Sequence, residues 1–240
     1  MVPRLDQLRV KIFADGADKD GMREMARLPH IAGFTTNPTL MRAAGVHDYR
    51  KFALEVLQAI PDRPISFEVF SDEFDEMERQ AREIASWGEN VFVKIPVTNT
   101  LGGPAHGLIR RLTKTGVKLN VTAILTLDQV RDTVAALADG ASSIVSVFAG
   151  RIADTGRDPV PLMAAAVELL RPYPAQQLLW ASPRELLNIV QADAVGCHII
   201  TATNDLLRKL ALIGRDLSEY SLETVRMFYR DAREAGFSLE

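Results

Sequence analysis

Lys94 has the most unusual setting of any residue in this chain. It lies in the run Val91-Phe92-Val93-Lys94-Ile95-Pro96-Val97, with apolar neighbours on both sides. Burying a charged side chain is expensive. A desolvated lysine, unlike an arginine, can release its proton and act as an amine nucleophile. The chain has 7 lysines against 21 arginines, so lysine is the scarcer cation here. The alternative is a lysine paired with a carboxylate inside the fold, or one reaching out to solvent. Lys11 and Lys118 also interrupt apolar runs, but near their amino ends, where a structural role is expected.

Two carboxylates stand in comparable places. The run 10–15 (VKIFAD) ends in Asp15, and 65–70 (ISFEVF) carries Glu68. Both could face Lys94, where one could raise the lysine's proton affinity by its charge and either could serve as acid or base. Asp15 could equally cap the helix that follows it. For Glu68 the structural alternative is weaker, because an unpaired carboxylate in a buried strand is costly. Other apolar runs end in polar groups too: Thr35-Thr36-Asn37-Pro38, Asn120 with Thr122, Ser146 with Arg151 just beyond, and Ser182 followed by Arg184. Polar residues that break core patterning tend to mark functional sites.

The elements that must position these groups recur along the chain. Short apolar, β-branched runs at 10–15, 33–37, 65–70, 91–97, 118–124, 143–149, 177–182 and 197–203 read as strands. Several are apolar on both faces, as in a buried parallel sheet. Between them, residues 19–28, 48–60, 72–87, 104–115, 127–139, 159–171, 183–194 and 204–213 carry apolar residues at helical spacing. Asp72 and Asp128 fall near helix starts, Pro159 and Pro183 suit first turns, and Gly88, Gly116 and Gly140 suit helix ends. Eight strands alternating with eight helices predict an α/β fold of the (β/α)8 TIM-barrel type, with the active site at the carboxyl ends of the strands. A doubly wound open sheet is the alternative, but the first strand–helix turn lacks its G-x-G-x-x-G signature. The predicted organisation is one barrel domain over 1–215 and a C-terminal helical extension over 216–240. Its helix, at 220–237, is surplus to the barrel and would pack on it or on a neighbouring subunit.

Composition narrows the classes of function. The 240 residues (26.5 kDa) are 47% hydrophobic and 25% charged, with a formal net charge of -3, so no basic surplus points to nucleic acid. Cys197 is the single cysteine, which excludes an internal disulfide framework. No apolar run is long enough for a spanning helix, so no membrane association is expected. Residues Met1 to Val10 lack a signal-peptide core, and a cytoplasmic location is expected. The four histidines, His30, His47, His106 and His198, form no pair at metal-ligand spacing, and no metal site is expected.

Taken together, Gly33-Phe34-Thr35-Thr36-Asn37-Pro38, Val93-Lys94-Ile95-Pro96, Asn120-Val121-Thr122 and Gly150-Arg151-Ile152 resemble the transaldolase family, including the short-chain transaldolases and the related fructose-6-phosphate aldolases. The resemblance covers about residues 10–215. It implies a class I mechanism without metal or other cofactor. Lys94 would form a Schiff base with the C2 ketone of a ketose phosphate, and Asp15 would accept the C4 hydroxyl proton as the C3–C4 bond breaks. Glu68 and Thr122 would hold a water that moves protons. Asn37, Asn120 and Ser146 would bind the three-carbon unit, with Thr36, Phe148 and Ser182 in the same substrate site. Arg151 and Arg184 would hold the phosphate, to which a guanidinium fork is suited.

Two positions discriminate within the family. Fructose-6-phosphate aldolases have glutamine where this chain has Glu68 and tyrosine where it has Phe148, so both positions resemble transaldolase. Ala181-Ser182-Pro183-Arg184 departs from the family, which commonly has an aromatic between the serine and the arginine; proline there changes the backbone and removes a donor. Arg157 in the loop 154–159 is either a solvated charge or a further phosphate contact. The turn before His106 is read as a plain loop, Cys197 as a small core residue opening strand 8, and Phe34 and Trp180 as barrel packing. The resemblance also implies a homo-oligomer, a ring of five subunits that can pair into ten. Val225, Phe228 and Tyr229 would offer an apolar stripe, unless that stripe covers the chain's own barrel. The rival functions are an aldolase that releases free dihydroxyacetone, or one acting on another sugar, and a barrel that binds a phosphosugar without turning it over.

Overall fold

Alternating short strands and amphipathic helices close, in the computed structural model, into a barrel of eight parallel strands. The structure describes residues 3–239. The strands are β1 (Lys11–Asp15), β2 (Ile31–Thr35), β3 (Ile65–Glu68), β4 (Val91–Pro96), β5 (Leu119–Ile124), β6 (Ser143–Val147), β7 (Gln176–Trp180) and β8 (Ile199–Thr203). Each pairs in parallel with the next, and β1 pairs with β8, which excludes the open doubly wound sheet. The helices are α1 (Lys19–Ala26), α2 (Pro38–Ala43), α3 (Tyr49–Ala59), α4 (Phe74–Ala85), α5 (His106–Lys114), α6 (Leu127–Leu137), α7 (Ala149–Asp154), α8 (Val160–Leu170), α9 (Leu187–Ala194), α10 (Asn204–Leu207) and α11 (Leu217–Glu234).

Capping residues set several helix starts. Asp18, Asn37, Asp48 and Asp216 each accept backbone N–H bonds at the heads of α1, α2, α3 and α11, and Thr126 with Gln129 forms a capping box on α6. Some boundaries differ from the sequence expectation. The second strand begins and ends two residues earlier, because Asn37 caps α2 and Pro38 takes its first turn. The sixth stops at Val147, and the residues after it turn into α7. Pro183 does not open a helix: α9 starts at Leu187. Asp72 is not a cap either. Its carboxylate accepts from the Thr100 N–H and hydroxyl (2.7 and 2.6 Å), tying the loop after β3 to the loop after β4.

The outward faces of the strands pack against the helices, and Phe34 and Trp180 are fully buried there. Cys197 lies just before β8, and burial pushes its thiol up to about 12, so it is an inert core residue. Lys118 sits at the amino end of β5, where its Nζ donates to the Glu89 carbonyl at 2.6 Å. The inward faces form two layers. Phe13, Ile144, Leu179 and Ile199 fill the barrel below, and polar side chains at the carboxyl ends lie above them. No residue of α11 is buried: Val225, Phe228 and Tyr229 are 60%, 64% and 64% exposed, so the apolar stripe does not cover its own barrel.

The lower layer depends on Gly33. A Cβ there would come within 2.5 Å of the Phe13 ring. Overpacking of this kind costs about 1–3 kcal/mol. Gly33→Ala is expected to lower the free energy of unfolding measured in urea by that amount, and Phe13→Leu in the same chain should recover part of it in a double-mutant cycle.

Candidate active site

The carboxyl ends of the strands surround a cavity of about 530 Å3. Period-2 alternation aims Asp15, Thr35, Glu68, Lys94, Asn120, Ser146 and Thr201 into the barrel, each at or near the end of its strand. Lys94 is 7% exposed. Its Nζ donates to the Thr36 carbonyl at 2.9 Å and pairs with Glu68 Oε2 at 2.9 Å. Lys94 and Glu68 lie opposite each other in the β3–β4 register, so backbone pairing itself brings amine and carboxylate together.

Asp15 ends β1 on the same cavity and does not cap α1, whose cap is Asp18. The Thr35 hydroxyl donates to Asp15 Oδ1 at 2.7 Å and lies 2.6 Å from the Thr201 hydroxyl. Burial pushes the Asp15 carboxyl above the usual carboxylate range, and the Glu68 charge adds to this. The Lys94 charge and hydrogen bonds from Thr35 and Asn37 oppose it. A carboxylate held in this way takes up a proton more readily than a free one.

A chain of hydrogen bonds crosses the floor. Ser146 Oγ donates to Asn120 Oδ1 at 2.7 Å, and Asn120 Nδ2 donates to Ser66 Oγ at 3.0 Å. The Thr122 hydroxyl lines the cavity, buried and with no protein partner among the described residues. Buried hydroxyls are normally paired; those of Thr113, Thr133 and Ser143 also lack a partner among the described residues, but of the four only Thr122 lines the cavity. A one-residue register slip between Val121 and Ile124, with Ala123 at φ +63°, turns Ala123 and Leu125 onto the cavity wall as well.

The structure brings together Asp15, Asn37, Glu68, Lys94, Asn120, Thr122, Ser146, Phe148, Arg151 and Ser182 of the residues singled out in the sequence. Two others lie elsewhere. The Thr36 side chain points out of the barrel, as alternation after Thr35 requires, and donates to the Ser66 carbonyl at 2.8 Å; only its carbonyl reaches Lys94. Arg184 does not line the cavity. Its Nε donates to Asp154 Oδ1 at 2.9 Å, its Nη2 pairs with Asp154 Oδ2, and its backbone N–H is held by Asn188. Arg151 is therefore the arginine on the cavity wall, stacked 5.4 Å from the centre of the Phe148 ring. Arg157 bonds to Thr155 and lies outside the cavity lining.

The turns carrying Arg151 and Ser182 touch through their backbones. Gly150 N–H donates to the Ala181 carbonyl at 3.2 Å, and a Cβ at Gly150 would fall 1.5 Å from the Ser182 carbonyl oxygen. Ser182 itself adopts φ +57°. Sequence reasoning named Thr35 only as part of a polar strand end and did not mention Ser66 or Thr201; all three follow from inward alternation on β2, β3 and β8. It also missed Tyr49, which meets Glu68 from a helix 19 residues earlier and leaves no local pattern.

Comparison with known proteins agrees with this geometry. The Transaldolase/Fructose-6-phosphate aldolase family matches residues 12–239. A probable transaldolase of Dehalococcoides mccartyi is 35% identical over 204 residues, covering 84% of this chain and 90% of that protein. One from a Thermoanaerobacter species is 34% identical over 233 residues, covering 96% and 100%. Among solved structures, dihydrodipicolinate synthase from Rhodopseudomonas palustris superposes with a TM-score of 0.58 at 13% identity, covering 97% of this chain and 81% of that one. At that identity the likeness shows the barrel fold alone. The length and level of the sequence match show that the chain belongs to the transaldolase/fructose-6-phosphate aldolase family, as an enzyme of the transaldolase type.

Proposed function

We propose that this chain transfers a dihydroxyacetone unit from a ketose phosphate, such as fructose 6-phosphate or sedoheptulose 7-phosphate, to an aldose phosphate through a Schiff base on Lys94. The observation that carries this reading is the buried Lys94 amine facing a cavity that also holds Asp15 and Glu68. A barrel that only bound a sugar would have no use for a lysine in that setting.

Glu68, at hydrogen-bond distance, is placed to take a proton from Lys94 before the amine attacks the C2 ketone. Loss of water gives an iminium. Asp15 removes the C4 hydroxyl proton, the C3–C4 bond breaks, its electrons pass into the iminium, and an aldose departs. The enamine left on Lys94 then attacks the acceptor's aldehyde carbon while Asp15 returns its proton to the new hydroxyl. Hydrolysis of the iminium frees the product ketose and the amine. Asn120 and Ser146 are held ready for the hydroxyls of the three-carbon unit, together with Asn37. Thr122, with Glu68, offers a site for the water that enters and leaves. Arg151 is the phosphate ligand, joined by Arg184 only once Asp154 releases it. Phe148 puts no phenol beside the intermediate, which favours transfer to an aldehyde over release of free dihydroxyacetone.

The exposed apolar face of α11 supports assembly into a homo-oligomer, a pentamer or decamer, with this helix of the 216–240 extension seated on a neighbouring barrel. Light scattering at micromolar concentration should give a multiple of 26.5 kDa, and a 26.5 kDa species would defeat the assembly.

Borohydride reduction in the presence of fructose 6-phosphate should add a three-carbon unit to Lys94, read by mass. Lys94→Arg should keep the fold and lose both adduct and transfer, since a guanidinium supplies no neutral amine. Turnover by a folded Lys94→Arg protein would remove Lys94 as nucleophile.

Asp15→Asn should still form the adduct but cleave C3–C4 about 10²–10⁴-fold more slowly. It should also stabilise the fold at neutral pH. Because the folded carboxyl holds its proton more tightly than the unfolded one, ionised Asp15 opposes folding. That cost is absent below the unfolded value of about 4, grows as pH rises from there toward the raised folded value, and is constant above it. The variant's Tm should exceed that of the wild type at pH about 8 and converge with it near about 4. An unchanged cleavage rate would leave Asp15 a structural role only.

A further inference from the structure

The ladder between β2 and β3 stops one bond short. Its register pairs are Phe34 with Ile65 and Thr35 with Ser66. Phe34 N–H donates to the Pro64 carbonyl at 2.9 Å, and Thr36 N–H to the Ser66 carbonyl at 3.2 Å. In a parallel ladder the next bond would run from the Glu68 N–H to the Thr36 carbonyl. Here the Thr36 carbonyl accepts from Lys94 Nζ at 2.9 Å, and the Glu68 N–H donates to the Tyr49 hydroxyl at 2.8 Å. The same hydroxyl donates to the Glu68 carbonyl, also at 2.8 Å. One phenol therefore fills both positions that β2 leaves open beside Glu68.

Tyr49 is held for this task. It is the first residue of α3, and its ring lies 6.4, 5.6 and 5.8 Å from those of Phe67, Phe70 and Trp87. Burial pushes its phenol above its usual value, so the hydroxyl keeps the proton that it donates.

We infer that Tyr49 is a positioning residue for the Lys94–Glu68 pair. By replacing the last bond of the β2–β3 ladder, its hydroxyl releases the Thr36 carbonyl to hold the amine and pins the strand end that carries the carboxylate. The inference rests on the reading of Lys94 as the reacting amine. Without the hydroxyl, the Glu68 N–H has no partner except the Thr36 carbonyl. The ladder then closes by one more bond, and the Thr36 carbonyl, drawn into line with the Glu68 N–H and shared with it, holds the amine less closely. Formation of the Schiff base slows, while the cavity wall that binds the sugar stays as it is.

The test compares wild type, Tyr49→Phe and Trp87→Phe, the last of which thins the same aromatic cluster but keeps the hydroxyl. For each, kcat and KM for transfer and the rate of borohydride trapping with fructose 6-phosphate are measured. Tyr49→Phe should lower kcat and trapping about tenfold, as expected when buried polar groups lose a partner. Its KM, and both kinetic constants of Trp87→Phe, should stay within about twofold of wild type. Wild-type kcat in Tyr49→Phe, or equal slowing in both variants, would overturn the role of Tyr49 alone. No adduct in the wild type would instead overturn the amine reading and this inference with it. If Tyr49→Phe does not fold, 3,5-difluorotyrosine at position 49 keeps the ring and weakens the hydroxyl as an acceptor. A slowed kcat then supports the inference, and an unchanged one rejects it.

Discussion

The ion pair between Lys94 Nζ and Glu68 Oε2, 2.9 Å apart beneath the cavity, is the constraint around which the carboxyl end of the barrel is arranged. A buried ammonium is tolerated only with nearby acceptors, and removing one partner of such a pair costs about 3–5 kcal/mol. Neighbouring strands answer that demand. Adjacent register positions on β3 and β4 bring the two charges together, and the ladder between β2 and β3 ends early so that a backbone carbonyl can serve the amine as well. Asp15, on β1, is close enough to feel Lys94 but lacks a direct ion pair with it. Burial therefore dominates its carboxyl and holds it above the usual carboxylate range. Two carboxylates of one barrel thus stand in different surroundings, one ion-paired to the amine and one held by a threonine hydroxyl.

The same contrast separates floor from rim. On the floor, Ser146, Asn120 and Ser66 satisfy one another by short hydrogen bonds, which holds them still while leaving bonding capacity on Asn120 and the hydroxyls. At the rim, one of the two arginines that the family resemblance assigns to phosphate is engaged elsewhere. Arg184 spends its fork on Asp154, and Arg151 lies over the Phe148 ring. On the function proposed, a phosphate would meet Arg151 directly but would compete with the Asp154 carboxylate for Arg184. Gly150 and Ser182 bring the backbones of the two arginine-bearing turns into direct contact.

Much of the barrel is legible in the chain because each strand is a short apolar run separated from the next by a helical pattern. Where the expectation slips, the cause is local and physical. Pro38 and its cap Asn37 start a helix where alternation alone continues a strand, and the turn after Ser182 is held by Asn188 before α9 begins. Lys94, Asp15 and Glu68 are conspicuous because charge inside an apolar run is rare. Ser66, Thr35 and Thr201 are inconspicuous because small hydroxyl residues occur in any strand. Thr36, adjacent to the true wall residue Thr35, points away because side chains alternate.

Sequence alone determined the strand–helix alternation, the presence of one lysine and two carboxylates inside apolar runs, and the family motifs around them. These are properties of local pattern and residue type, and they survive without knowledge of any distant contact. Only the tertiary structure decided which carboxylate pairs with Lys94, that Arg184 is held by Asp154, that the apolar face of α11 is left uncovered, and that Tyr49 completes the edge of β3. Each of those depends on groups far apart in sequence competing for one partner. Hydrogen bonds and ion pairs are short-ranged and directional, so the winner is set by where the closed barrel places the competing atoms.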